Sequence, residues 1–343
     1  KVKKDAIVSL PRETFKDAGT SAKTSILFMT KPVDGKIETL DYPVFLVSVE
    51  KLEGLNKVYE FYCRYQKEGN LMNPVPKKVV VAKDSMGNDA VSVRVDITMK
   101  QMDEQKPAGR WDTSYWDPKY DGLFHGIATE KLSKFIVDIQ GGGGGSHFSA
   151  YLGDQWDPKG KYAKYLHVGS ILETGIDWVS SKYINKKTYE RLESKQLRIN
   201  DILLSNKGTV GKSVVITRDY GKIVVGDTRI IRIKEVNPYF ICVFFKSVFG
   251  QLLNEKYKSG VASEGTTVDQ LNVFDIPLIK ESAQSHIESE YKKMSVYHDK
   301  AMEAKVKGDE ESYKKNIETA GKMLKDLIAR TEAVIRGERE DVI

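Results

Sequence analysis

The chain has 343 residues, of which 40% are hydrophobic and 30% charged, a composition typical of soluble globular proteins with about two or three domains. The longest apolar runs, such as Phe240-Ile-Cys-Val-Phe-Phe245, are far too short to span a membrane, and no charged-then-apolar leader opens the sequence. Cys63 and Cys242 lie in apolar surroundings, which indicates reduced, buried thiols. We therefore expect a cytoplasmic protein without a membrane segment.

The net charge of +6 is concentrated in the middle of the chain. Between His147 and Lys280 there are 20 lysines and arginines against 14 aspartates and glutamates. Such an excess suits a polyanionic partner, because lysine and arginine displace the counterions condensed on phosphates. It is equally compatible with an ordinary solvated surface, so the charge alone leaves both interpretations open.

Short strands open the chain. Ala6–Leu10 and Thr24–Met29 are rich in β-forming residues, and residues 55–68 carry apolar side chains at helical spacing. A hairpin is predicted around Met86-Gly-Asn-Asp89, between Val79–Ala82 and Val91–Ile97. Polar residues from Lys100 to Gly109 predict a linker.

The second half begins with a short predicted helix around Thr129–Lys134 and then reads mostly as strand and turn from Tyr165 to Ile279. Gly141 to Gly145 form an unbroken glycine run, which predicts a flexible loop that is either natural or engineered.

The last 63 residues predict two helices. Ile287, Tyr291, Met294, His298 and Ala301 recur at spacings of 4 and 3, and a second series from Tyr313 to Leu327 repeats this pattern. Gly308-Asp309 interrupts the register and offers a good helix start, so the pair forms either a hairpin or one broken rod.

Gly208-Thr-Val-Gly-Lys-Ser213 nearly spells a phosphate-binding loop. Such a loop must be followed by a helix, whose amino terminus receives the phosphate. Here Val214–Ile216 and Ile223–Val225 predict strand, turn and strand instead. Nucleotide hydrolysis is therefore disfavoured, and the glycines are expected to form a tight turn from which Lys212 projects.

The wider stretch Leu197–Lys212, with its Asp201-Ile-Leu strand and Gly-Thr-Val-Gly turn, resembles the target recognition domain of type I restriction–modification specificity subunits. Tyr165–Ile171, Asn237–Gln251 and Ile276–Ile287 resemble further parts of that domain in the same order. The resemblance covers roughly residues 110–305. It implies a β-rich domain with a helix packed behind its sheet and a long helix at its exit.

The first 50 residues resemble the carboxy-terminal strands of type I-like adenine-N6 DNA methyltransferases, through Ala6–Pro11, Lys23–Met29 and Tyr42–Phe45. Together the two resemblances imply a type IIG-like fusion layout. We expect an α+β fold of four segments: residues 1–50 as methyltransferase strands, 51–109 as connecting helix and hairpin, 110–280 as target recognition domain, and 281–343 as helical spacer or dimerisation segment.

The methyltransferase family's glycine-rich motif and its Asn-Pro-Pro-[Tyr/Phe] motif are both missing from this sequence; Asn73-Pro-Val-Pro76 is no substitute. Whether the chain takes part in catalysis as a portion of a larger enzyme stays open, and we assign no catalytic residue, no metal site and no cofactor bound by this chain alone. The resemblance implies S-adenosylmethionine for an associated methyltransferase core. The expected partners are that core or subunit, double-stranded DNA, and a second copy through residues 281–343.

DNA recognition requires side chains that contact phosphates and side chains that contact base edges. Basic and polar residues in or beside predicted turns are the candidates, because lysine and arginine bind phosphates while asparagine and hydroxyl groups bind base edges. These DNA-binding candidates are Asn185, Asn206, Lys207, Thr209, Lys212, Arg229, Lys258, Ser263, Thr266 and Thr267.

Two functions remain in competition. The first is sequence-specific DNA recognition that directs adenine-N6 methylation, with or without cleavage, by a core that this chain does not complete. The second is a subunit-assembly module of a restriction–modification complex, in which contact with DNA is incidental.

Overall fold

The computed structural model describes residues 2–19, 24–37, 39–68, 77–105, 110–141, 162–205, 212–226, 228–258 and 265–343. Helices and sheets alternate along the chain, in agreement with the predicted α+β class. The described residues form two compact units, with the boundary between Leu123 and Phe124. Among the described helices, none is both long and apolar enough to cross a lipid bilayer.

The first unit is built on one five-stranded sheet. Its elements are β1 (Lys3–Ser9), β2 (Ser25–Thr30), β3 (Phe45–Val49), α1 (Asn56–Glu68), β4 (Val79–Lys83), β5 (Asp89–Arg94) and α2 (Met99–Glu104). The strand order is β2-β1-β3-β5-β4, with β1 parallel to β3 and the other neighbours antiparallel. The predicted strands, the predicted helix and the hairpin at Met86–Asp89 are thereby confirmed.

Both faces of the sheet centre are buried. On one face Val8 and Phe45 pack with Phe61 of α1. On the other face Ile7 packs with Met99 and Met102 of α2. The alternation of side chains along a strand explains why β1 carries an almost continuous apolar run, since both of its faces are covered.

The predicted linker at Lys100–Gly109 is wrong for its described part, because α2 occupies Met99–Glu104. Thr98 caps this helix by accepting a hydrogen bond from the backbone of Gln101, and the Gln101 side chain accepts one from the backbone of Thr98. This reciprocal capping box, together with the burial of Met99 and Met102, stabilises a helix in a polar stretch.

The second unit contains three sheets and seven helices among its described residues. Its elements are β6 (Thr129–Lys131), α3 (Leu132–Phe135), β7 (Ile136–Gln140), β8 (Ala163–Leu166), β9 (Lys182–Ile184), α4 (Lys186–Arg191), β10 (Ile202–Ser205), β11 (Ser213–Val215), β12 (Ile223–Val225), β13 (Thr228–Ile233), α5 (Pro238–Lys246), α6 (Val248–Tyr257), α7 (Val268–Asn272), β14 (Asp275–Pro277), α8 (Glu281–Lys307) and α9 (Glu310–Ile335). The short helix predicted at Thr129–Lys134 is instead a strand followed by a single helical turn, because Glu130 pairs with Ile276 of β14.

A four-stranded sheet of order β11-β10-β13-β7 faces a three-stranded sheet of order β12-β8-β9. Leu203, Val214 and Ile230 of the first sheet form one core with Leu166 and Ile223 of the second. β11 and β12 are therefore strands, as predicted, but they belong to different sheets and do not pair with each other.

Helix α5 covers the other face of the four-stranded sheet, as the resemblance implied. Ser213 of β11 donates a hydrogen bond at 3.0 Å to the carbonyl oxygen of Cys242 in α5. Cys242 is fully buried, and burial raises the pKa of its thiol. Cys63 in α1 is only half-buried, so the expectation of two buried thiols holds for one of them.

The two carboxy-terminal helices form a hairpin and not a broken rod. Gly308 ends α8 in the left-handed conformation, with φ of 72°, and Asp309 caps α9 by accepting a hydrogen bond at 3.0 Å from the backbone of Ser312. The predicted apolar series on α8, from Ile287 to Ala301, is buried within the chain. Both helices also pack on α5, so this series is not available to a second copy.

The four-segment division of the chain stays a prediction. Strands β4 and β5, which lie in the predicted connecting segment, complete the sheet to which β1–β3 belong.

Candidate nucleic-acid interface

At one end of the four-stranded sheet, the ends of three neighbouring strands, β10, β11 and β13, lie side by side. Ser205 at the end of β10 lies opposite Thr228 at the start of β13. The backbone N–H of Ser205 donates to the carbonyl of Lys212 at 2.8 Å, and the N–H of Lys212 donates to Oγ of Ser205 at 3.1 Å. Gly141 lies beside them, since a Cβ added to it would be 2.4 Å from the carbonyl oxygen of Thr228. We call Gly141, Ser205, Lys212 and Thr228 the polar edge.

The segment between Ser205 and Lys212 lacks the strand-to-helix context that a phosphate-binding loop requires. β11 begins at Ser213, directly after Lys212, and the described stretch from Lys212 to Gly226 contains no helix. The helix amino terminus that would receive a phosphate is therefore missing at this point, as predicted. β10 and β11 are antiparallel neighbours, so the glycine-containing segment connects two strands of one sheet.

Lys212 keeps part of its side chain in solvent. The side chain is 34% exposed, and its Nζ lies 4.0 Å from Oε1 of Glu173. Lys246 also approaches Glu173, with Nζ at 3.3 Å from Oε2 and a hydrogen bond at 2.9 Å to its carbonyl oxygen. Two cations thus share one carboxylate, which leaves one positive charge in excess beside the polar edge.

Arg229 follows Thr228 in β13 but is 6% exposed. Its Nε and Nη1 atoms are buried and have no hydrogen-bond partner among the residues that the structure describes, and burial lowers the pKa of the guanidinium to about 10. A side chain at the surface is needed for contact with a DNA phosphate, so the burial argues against such a contact in this conformation. The sequence could not show this, because arginine in a strand is exposed or buried according to what covers that face.

Three other candidates have structural roles. Asn185 caps α4 by accepting a hydrogen bond at 2.9 Å from the backbone of Thr188. Thr267 caps α7 by accepting one at 3.2 Å from the backbone of Gln270. Thr266 is buried, and its hydroxyl donates to Asn254 at 3.4 Å. Polar groups at helix starts satisfy backbone donors, which accounts for Asn185 and Thr267 without DNA, and burial against Asn254 accounts for Thr266.

Thr266 and Thr267 do not belong to the strands that form the polar edge. β13 starts at the polar edge and ends beside α3, where the N–H of Lys234 donates to the carbonyl of Phe135. The backbone N–H of Leu132 in α3 donates to the carbonyl of Phe274, which follows α7. Thr266 and Thr267 precede α7, and their hydroxyls bond to Asn254 and to the backbone of Gln270.

The remaining candidates are divided between described and undescribed residues. Lys258 ends α6, where its backbone N–H donates to the carbonyl of Asn254 at 2.9 Å. The other four lie outside the described residues: Asn206, Lys207, Thr209 and Ser263.

A group of basic side chains stacked on aromatic rings was missed by the sequence reasoning. Nζ of Lys222 lies 3.9 Å from the ring centre of Tyr162, and Nζ of Lys164 lies 4.4 Å from that of Trp178. Arg218 stacks on Tyr220 at 4.3 Å. The sequence Arg218-Asp-Tyr-Gly-Lys222, in the predicted turn between Ile216 and Ile223, carries a signal for this group, since basic residues flank an aromatic one. Among the described residues no cluster of His, Cys, Asp or Glu is suited to hold a metal ion.

The sequence matches no protein-family model and no curated protein. Parts of the structure are similar to solved structures of restriction–modification proteins. A type I S subunit from M. genitalium has 14% identity and a TM-score of 0.34 over 53% of this chain and 42% of its own. The type IIG restriction endonuclease BpuSI has 10% identity and a TM-score of 0.39 over 95% and 43%. The HsdS subunit from Thermoanaerobacter tengcongensis has 14% identity and a TM-score of 0.31 over 63% and 46%.

The chain spans less than half the length of each of these proteins. With TM-scores below 0.5 and identities of 10–14%, the similarities define neither a family nor a function for this chain.

Proposed function

We propose that this chain recognises a specific sequence in double-stranded DNA as part of a restriction–modification system. The observation that carries the proposal is the polar edge, where the ends of three neighbouring strands place the partly exposed Lys212 beside the buried Ser205 and Thr228. Loops that leave one end of a rigid sheet are well placed to reach into a groove, because the sheet fixes their starting points. The sequence resemblance of residues 197–212 to target recognition domains falls on the same strands.

The charge around this edge suits a polyanion. Lys212 and Lys246 share the single carboxylate of Glu173, and the segment from His147 to Lys280 carries the basic excess of the chain. Of the two, Lys212 is partly exposed, and an exposed lysine binds phosphates without distinguishing sequence. Discrimination between bases would then belong to Asn206, Lys207, Thr209 and Ser263, which the sequence places in the connecting loops.

In this proposal the recognised sequence directs adenine-N6 methylation by a methyltransferase core that uses S-adenosylmethionine. The support for this step is the resemblance of residues 1–50 to methyltransferase strands. Since no methyl-donor motif and no catalytic motif occur in this sequence, the methyl transfer is assigned to that core and not to this chain.

The test is selection of bound duplexes from a randomised pool, followed by titration of the winning sequence at several salt concentrations. Lys212→Gln should weaken binding of all duplexes alike and reduce the salt slope by about one. Asn206→Ala should instead change which bases are selected. Lys322→Gln, an exposed position on α9, is the matched control and should alter neither. The proposal fails if no sequence is enriched or if binding does not depend on salt.

A second function, assembly with a partner subunit, is favoured by one observation. All six residues of β2 are exposed, including Ile26, Leu27, Phe28 and Met29, and β2 is the outermost strand of its sheet. An apolar strand with a free edge is a common docking site for another chain. The two functions are compatible, because β2 belongs to the first unit and the polar edge to the second.

A further inference from the structure

A small cleft opens at the end of the four-stranded sheet that is opposite to the polar edge. The N–H of Leu197 donates to the carbonyl of Ile223 at 3.2 Å, and the N–H of Asn200 donates to that of Ile216 at 2.9 Å. Between these two bonds the segments 198–199 and 217–222 separate and enclose a cavity of about 250 Å³. We call it the Arg198–Arg218 cleft, after the two arginines in its lining.

The rest of the lining is largely apolar. Leu197, Ile216 and Ile223 line the cleft together with the ring of Tyr220. Ile199 also lines it and is 54% exposed, an unusual fraction for an isoleucine. The next residue, Asn200, has a φ of 70°, a conformation that few non-glycine residues adopt. The chain thus holds an aliphatic side chain in solvent beside an open cavity.

One arginine of the cleft is held in place. Nε of Arg218 donates to Asp299 of α8 at 2.7 Å, and its guanidinium stacks on Tyr220 at 4.3 Å. The hydroxyl of Tyr220 donates to the same carboxylate at 3.2 Å. Burial and the charge of Asp299 raise the pKa of Tyr220 to about 12. A preordered guanidinium loses less conformational entropy when it binds a carboxylate than a mobile one does.

The surroundings of the cleft are positive. Arg198 is exposed and forms no ion pair with the described residues. Burial lowers the pKa of the Lys164 ammonium, and the positive charge of the nearby Arg218 lowers it further. Lys222 is stacked on Tyr162. Three carboxylates oppose the four cations Arg198, Arg218, Lys164 and Lys222: Asp219 lines the cleft, Asp299 binds Arg218, and the charge of Glu303 also acts on Arg218. One positive charge is therefore left in excess.

We propose that the Arg198–Arg218 cleft binds an acidic segment of a partner protein, with one large apolar side chain of that segment inserted between Ile199 and Tyr220 and its carboxylates paired with Arg198 and Arg218. The cavity is smaller than the roughly 300–1,000 Å³ of most small-molecule sites, so it suits one side chain and not a cofactor. Apolar anchoring in the centre with charges at the rim is the usual arrangement of such contacts.

Two other occupants fit less well. DNA phosphates are strongly hydrated and gain nothing from an aliphatic floor, so duplex DNA would not explain Ile199 and Ile216. The acidic carboxy-terminal segment of a second copy is also unsuitable, because Val342 is buried in its own chain and Asp341 bonds to His286 at 2.6 Å.

The experiment measures fluorescence anisotropy of a labelled peptide, Gly-Asp-Glu-Phe-Asp-Glu-Gly, titrated with the full chain. The chain should bind it saturably, and Arg198→Glu and Ile199→Ser should each weaken binding by about tenfold or more. Lys187→Glu, an exposed charge reversal on α4, should leave the affinity unchanged. Circular dichroism of each variant verifies that it is folded.

Two altered peptides test the proposal without any change to the protein. Replacing the phenylalanine by glycine, or the four acids by their amides, should abolish saturable binding. The proposal is overturned if millimolar peptide does not saturate the chain, or if the amide peptide binds as well as the acidic one. Displacement of the peptide by a short DNA duplex would assign the cleft to the DNA surface and would also overturn it. Weaker DNA binding by Lys212→Gln with unchanged peptide binding would show that the two sites are separate.

Discussion

At the scale of single residues, His298 is the polar contact between the long helix α8 and the loop before Trp178. Its Nε2–H donates to the carbonyl of Ile176 at 3.0 Å, and its Nδ1 accepts from the hydroxyl of Thr174 at 2.8 Å. The imidazole is 1% exposed, and burial lowers its pKa. The charged groups around it are Asp177, Asp299 and Arg218. The ring is therefore neutral in the folded chain at neutral pH.

This burial predicts a stability that falls in mild acid. Below a pH of about 6.5 the unfolded chain takes up a proton on this histidine, whereas the folded chain does not until a lower pH. The free energy of unfolding should therefore decrease between pH 7 and pH 5, by at most about 1.4 kcal/mol per pH unit for this group. Urea unfolding at both pH values measures it. His298→Gln should flatten the dependence, whereas His125→Gln, at an exposed position, should not.

Gly175 gives a second prediction, since it lies against the same ring. A Cβ at this position would be 2.4 Å from Cδ2 of His298, whereas a Cβ at Gly321 in α9 meets nothing within 4 Å. Gly175→Ala should destabilise the protein by about 1–3 kcal/mol through steric overlap. Gly321→Ala should stabilise it by about 0.5–1 kcal/mol, because alanine favours a helix. Thermal unfolding of both variants compares them, and equal shifts in Tm would contradict the packing described.

The sequence predicted His298 as part of the buried series of α8, and this was correct. It could not predict the contacts with Thr174 and Ile176, because they are more than 120 residues away and helical spacing says nothing about distant loops. The same limit applies to Arg229 and Thr266: their chemistry suits DNA, but the covering elements decide that both are buried.

At the scale of elements, the helical hairpin was the part of the fold most open to prediction. Its apolar spacing, the glycine at position 308 and the aspartate at position 309 are local signals, and local signals are visible in sequence. The helix α2 was missed, although Thr98 and Gln101 have the spacing of a capping box. The pairing of β11 and β12 with different sheets was also missed, because strand partners are set by contacts distant in sequence.

The cap of α9 can be tested directly. The carboxylate of Asp309 accepts from the backbone of Ser312, and this bond holds the pKa of Asp309 below its usual range. Asp309→Ala should lower the free energy of unfolding measurably, and Asp309→Asn by less, because asparagine also caps helices. Chemical unfolding at neutral pH distinguishes the two. An equal loss for both would mean that the charge, and not the cap, stabilises the hairpin.

At the scale of the whole molecule, the two edges of the five-stranded sheet differ. β2 has no charged residue, and its Phe28 and Met29 are about half exposed; its pairing with β1 shifts once, between these two residues. β4 has two register irregularities and ends at Lys83, and lysines also precede it at positions 77 and 78. Charges on an edge strand oppose its association with another edge, so β4 is better protected than β2.

We therefore expect the isolated chain to associate through β2 as its concentration rises. Phe28→Lys should abolish this association, since a charge on an edge strand opposes pairing with another strand. Val80→Lys, on the opposite edge, should leave it unchanged. Sedimentation velocity over a range of concentrations measures the difference. Association that persists in Phe28→Lys would assign the contact to another surface.

The fold class and most strand and helix positions were predictable, since alternation and helical spacing are properties of the sequence itself. The candidate site was predictable only in part: Lys212 lies between two strands of one sheet, as the strand pattern predicted, whereas Asn185 and Thr267 cap helices. Polar residues at turns serve caps and ligands equally well, and only the three-dimensional neighbours distinguish the two roles.

The two cysteines differ in burial, so we expect them to differ in their reaction with a thiol-specific dye. A thiol that is wholly enclosed and reluctant to ionise does not react with a maleimide, whereas the half-buried Cys63 is accessible to one. The unaltered protein should therefore react with one dye molecule, at Cys63 of α1, which is distant in sequence from the residues of the polar edge. A second dye molecule would enter only on denaturation, so labelling stoichiometry reports directly whether a preparation is intact.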